Sequence, residues 1–140
     1  MKVSSLVPLR SLWRGGSDEL SAQVDPPAEL IACLQTASEV SSRFSEQVAA
    51  SSDHQPLANA ASICRWEIMQ LRDRVAEIDV PGPHQGVHSE VLARLEEAAA
   101  AARLLSSGHR FHNLERICDG GQALDDNLAA LTALKDRLTT

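Results

Sequence analysis

His84 and His88 stand four residues apart, a spacing that puts two side chains on one face of a helix, and Glu90 follows two positions later. Two imidazoles and a carboxylate make a ligand set for a transition metal. A di-iron centre in a helical bundle asks for more: a Glu from each of two helices and a Glu-x-x-His pair from each of the other two. None of the five histidines (His54, His84, His88, His109, His112) follows a Glu by three. His109 and His112 form a second pair, but the starts of the third and fourth helices fall at opposite ends of an antiparallel bundle, which keeps the two pairs apart. Read structurally, these are polar residues at helix starts and turns, and neither a resident metal nor a cofactor is expected.

Nucleophilic and phosphate chemistry find no better support. The chain has no Gly-x-Ser-x-Gly elbow. Cys33, Cys64 and Cys118 lie far apart, without CxxC spacing, each within an apolar helical pattern where cysteine acts as a small core residue. Glu96-Glu97 and Asp125-Asp126 are adjacent in sequence, so on a helix they point about 100° apart and read as solvated faces. Gly15-Gly16 and Gly120-Gly121 lack the following Lys-Ser/Thr of a phosphate-binding loop. These absences predict a protein that is not an enzyme.

What remains is a scaffold. At 140 residues the chain fits one domain with a core that needs no metal or disulfide. Hydrophobic residues make up 44% and aromatics only 3%; Ala, Leu and Ser dominate, which favours helices over sheets. The net charge is −6, yet the first sixteen residues carry Lys2, Arg10 and Arg14 and no acid, so the rest carries −9. Such a body is a poor match for nucleic acid or an anionic membrane. No apolar run approaches the roughly 20 residues of a membrane span, and Pro8 and Arg10 interrupt the leader where a signal peptide would be apolar. A bacterial, cytoplasmic protein is expected.

Four apolar seams with alternating steps of three and four then define the elements. The first runs through Leu30, Leu34, Ala37, Ser41, Phe44 and Val48 and predicts a helix over 27–50. The second, through Leu57, Ala61, Cys64, Ile68, Leu71, Val75 and Ile78, ends before Pro81-Gly82-Pro83. The third takes Val91, Leu95, Ala98, Ala102 and Leu105, with Gly108 suited to the left-handed position that stops a helix. The fourth takes Phe111, Leu114, Ile117, Gly121, Leu124, Leu128, Leu131 and Leu138 and is expected to continue, kinked, through Gly120-Gly121. Seams two and four superpose at an offset of sixty residues, as a duplicated hairpin would. Short connections make sequential helices antiparallel. The fold expected is all-α, an antiparallel up-down-up-down four-helix bundle over 26–140, preceded by a basic, apolar arm and linker over 1–25.

One feature is left over. With Ala61, Cys64, Ile68 and Leu71 turned inward, Ile63 and Trp66 face out, and Met69 lies on their flank. A helix apolar on two sides is covered on both. The cover is the leader "SLVPLRSLWRGG", a second copy, or another protein. Leu9, Leu12 and Trp13 give the leader an apolar side of its own, behind a Gly15-Gly16 tether. These six residues (Leu9, Leu12, Trp13, Ile63, Trp66, Met69) are the candidate partner-binding set. The expected role is a non-catalytic interaction protein: an adaptor, an assembly subunit or a chaperone-like binder, with homo-oligomerisation the simplest case. In general shape such a bundle resembles the bacterial flagellar and secretion export chaperones. The alternative is a bundle that binds a metal or small ligand through His84, His88 and Glu90 or in the gap at Gly120-Gly121.

Overall fold

A computed structural model describes residues 25–140. Leu9, Leu12 and Trp13, the leader's half of the candidate set, lie outside the described residues. The helices are α1 (Ala28–Ala50), α2 (His54–Ala76), α3 (Gln85–Arg110) and α4 (Leu114–Thr139), with a 3-10 turn at Gly82–His84 leading into α3. The described residues form no strand.

Each helix packs against two neighbours, closing a ring in the order α1, α2, α3, α4. Residue pairs across the seams run in opposite directions. Ser62 meets Ser106 near one end of α2 and α3, and Arg72 meets Glu96 toward the other. Gly108 lies against Ile117, and Arg94 bonds Asn127 further along α3 and α4. Lys135 reaches Gln35, while Phe44 shares a cavity wall with Gly121 and Asp125. The fold is the all-α, antiparallel four-helix bundle that the seams predict.

The four seams meet in one core. Leu30, Leu34, Ile68, Leu95, Leu124, Leu131 and Leu134 are fully enclosed. Helix α3 approaches both α2 and α4 closely, because its faces are built of Ala98, Ala99, Ala101 and Ala102. At Gly120 the approach is closest: a Cβ there would lie 2.7 Å from the Leu105 amide nitrogen and 3.0 Å from the Ala101 carbonyl oxygen. The contacts of α1 are looser, made with long side chains such as Leu30, Leu34 and Phe44.

Three expectations need correction. Gly108 does not stop α3; it has no positive φ and sits inside the helix, where a Cβ would come within 2.8 Å of the Ile117 amide nitrogen. The left-handed residue is His112, at φ 52°. The Asn113 amide donates to the Gly108 carbonyl at 2.8 Å and the His112 amide to that of His109 at 3.4 Å, the paired bonds of a Schellman ending. Asn113 then caps α4, its Oδ1 accepting from the Arg116 amide at 3.0 Å. Phe111 and Leu114 consequently belong to this corner, and at 71% and 72% exposed they take no part in the seam. Finally, α4 continues through Gly120-Gly121 as expected, but the buried seam glycine is Gly120 and not Gly121.

Candidate interaction surface and the open end of the bundle

The outward side of α2 is where periodicity places it. Ile63 is 52% exposed and Trp66 64%. At 100° per residue, Trp66 stands about 60° round the helix from Ile63 on one side and from Met69 on the other. Met69 is half-buried; it packs on the core and lines a shallow groove of about 520 Å³ between α2 and α3. Leu104 of α3 is exposed on the opposite wall, and Arg65, Arg72, Glu96 and Arg103 border the groove. Arg72 is held across it by Glu96 at 2.8 Å. The structure therefore brings Ile63, Trp66 and Met69 together and adds Leu104, which the sequence seam of α3 did not single out.

At the end of the bundle where α1 runs out, the core does not close. Val48, expected in the seam, is 44% exposed, and no residue of α1 after Phe44 is buried. Leu57 and Ile117, seam residues of α2 and α4, are only half-buried. A cavity of about 440 Å³ fills the place of that last layer. Phe44, Val48, Leu57, Leu105, Ile117 and Gly121 make its apolar wall; Ser45, His109 and Asp125 are its polar groups.

Beside it lies a cluster that the sequence did not announce. The Nδ1 atoms of His54 and His109 are 3.0 Å apart in a hydrogen bond, and the His112 ring stacks on His54 with centroids 4.2 Å apart. His109 is buried, and burial, followed by its proximity to His54, pushes its pKa below the ordinary imidazole value. The symmetry of the α2–α3 hairpin held a clue. An antiparallel hairpin turned at 81–83 sets the start of α2, with His54, beside the end of α3. On the same seam the Ser106 hydroxyl donates to the Ala58 carbonyl at 3.1 Å and lies 2.8 Å from the Ser62 hydroxyl.

His88 bonds the Val75 carbonyl through Nε2 at 2.7 Å, so its ring N–H ties the start of α3 to the end of α2. His84 and Glu90 do not join it in a ligand set. Among the described residues no group of three or more His, Cys, Asp or Glu is disposed to hold a metal ion. Cys33 and Cys64 are buried thiols; burial pushes Cys33 up and Cys64 up to about 12. Cys118 is exposed on α4. No helix among the described residues is long and apolar enough to cross a membrane. No family model, curated protein or solved structure significantly matches the chain.

Proposed function

We propose that this chain is a non-catalytic interaction protein of the cytoplasm, an adaptor or assembly subunit, that docks through the outward face of α2, first of all on a second copy of itself. The observation that carries this is Trp66, a large apolar side chain 64% exposed between Ile63 and Met69 on a helix whose opposite side already fills the core. Tryptophan at the centre of an apolar patch is the residue type most often responsible for binding energy at interfaces.

The face is compatible with its own copy. In a two-fold, antiparallel pairing of α2 centred on Trp66, Met69 falls opposite Ile63 and Asp73 opposite Asn59. Apolar residues meet apolar residues at the middle, and no like charges are set against each other. The free Cys33, Cys64 and Cys118 suit a reducing compartment.

Sedimentation velocity over a concentration series tests this. The wild-type chain is expected to dimerise, and Trp66→Ala to weaken the dimer by about 2 kcal/mol, roughly thirtyfold in Kd, with unchanged helicity. A wild-type chain that stays monomeric at high concentration removes the second copy as the partner. A Trp66→Ala variant that loses helicity shows the indole to be part of the core.

A further inference from the structure

The open layer at the end of the bundle has the make-up of a small-molecule site, and it is independent of the α2 docking face. Three helices bring seam residues to it that fail to close: Val48 from α1, Leu57 from α2 and Ile117 from α4. Their faces are apolar and the space between them, about 440 Å³, falls within the range of ligand pockets.

Gly121 supplies a second, separate observation. Its neighbour Gly120 is required by packing, because any side chain would strike the α3 backbone. Gly121 is under no such constraint: a Cβ there meets nothing within 4 Å, and φ is not positive. A glycine inside a helix costs about 1 kcal/mol relative to alanine. Contacts among the described residues give no reason for it, whereas an alanine or larger residue would take volume from the cavity that Gly121 lines.

The polar groups state the chemistry. Asp125 and the Ser45 hydroxyl stand exposed at the rim of the cavity and the His109 ring lies within it, and among the described residues no Lys or Arg lines the space. Among the described residues no ion pair engages Asp125. An apolar body bearing one cation satisfies both the walls and the carboxylate; an anion would meet Asp125 as a like charge. We infer that the cavity at this end of the four helices binds a small amphipathic amine, its hydrocarbon part against Phe44, Leu57 and Ile117 and its ammonium group on Asp125.

Three probes of equal skeleton test this on the full chain by calorimetry: 4-phenylbutylamine, 4-phenylbutan-1-ol and 4-phenylbutanoate. Saturable one-to-one binding is expected for the amine, about tenfold tighter than for the alcohol, with the acid weakest. Gly121→Leu, which places a side chain in the open space, is expected to abolish binding of all three. Asp125→Asn should leave the alcohol unchanged and bring the amine level with it. Amide chemical shifts of residues 117–125 report whether each variant keeps its fold and whether the probe sits there. No saturable binding, binding that survives Gly121→Leu in a folded protein, or an acid bound as tightly as the amine overturns the inference. So does amine binding that appears only after residues 1–24 are deleted, since the chain's own leader would then be the occupant.

Discussion

At the scale of single residues, the two neighbouring glycines of α4 separate two roles that look identical in sequence. Gly120→Ala drives a Cβ into the Leu105 amide and is expected to destabilise the fold by about 1–3 kcal/mol, helix propensity notwithstanding. Gly121→Ala meets open space and should stabilise it by up to about 1 kcal/mol; urea denaturation of the two variants measures both. The histidine cluster has its own signature in pH. One imidazole of the His54–His109 pair must donate and the other accept, so protonating both removes the acceptor and sets two cations 3.0 Å apart. His112 stacks on His54, Arg110 lines the same end, and Asp125 lines the neighbouring cavity together with His109. The folded pKa of His109 is lowered, while the unfolded ring keeps its ordinary value near 6.5. Above that value neither state takes the proton. Below it the unfolded chain binds a proton that the fold refuses, and stability falls until the folded pKa is passed. Urea midpoints are therefore expected to drop between pH 7.5 and 5.5, and His109→Gln to flatten that slope.

At the scale of elements, stability is unevenly shared. Helix α3 is gripped on two sides at close range through its alanines, while the last turns of α1 bury nothing after Phe44. Native-state hydrogen exchange should find the slowest amides near Leu95–Leu105 of α3 and the fastest helical amides in residues 45–50 of α1. The seams made most of this architecture legible. Alternating steps of three and four located all four helices, and the proline break at 81–83 gave the hairpin turn. The exposed face of α2 followed from the same period, since Ile63 and Trp66 lie opposite Cys64 and Ile68. Illegible were the features set by packing between helices. Whether a helix stops at Gly108 or passes through it depends on how near α4 comes, and Ile117 comes near enough to need the glycine inside the helix. The seam through Phe111 and Leu114 is real as a pattern, but a Schellman ending at His112 rotates both residues out of it. The pair Gly120-Gly121 marked a gap in the sequence, but the open layer formed there with Val48 and Leu57 was not legible, because a periodic pattern says which side chains turn inward and not whether the helices carrying them converge.

At the scale of the whole molecule, the question is whether four helices with one core open as one unit. The thiols answer it, because they sit on three different helices, two in the core and one at the surface. Cys33 belongs to α1 and Cys64 to α2, both in the shared core, and Cys118 is exposed on α4. A thiol must be reached and deprotonated to react; Cys64, pushed up to about 12 by burial, is neither accessible nor ionised at pH 8. An aromatic disulfide reagent should therefore titrate one thiol of the native protein at once and all three in urea. The two slow thiols distinguish the modes of opening. Cys33 packs beside Leu30 and Leu34, in the half of α1 that is firmly in the core and away from its exposed last turns. A domain of this size with a single core is expected to unfold cooperatively. Cys33 and Cys64 should then label with the same opening free energy, equal to that from urea denaturation. Faster labelling of Cys33 than of Cys64 would instead mean that α1 detaches from a residual bundle of α2, α3 and α4, whose close alanine and glycine contacts do not depend on it.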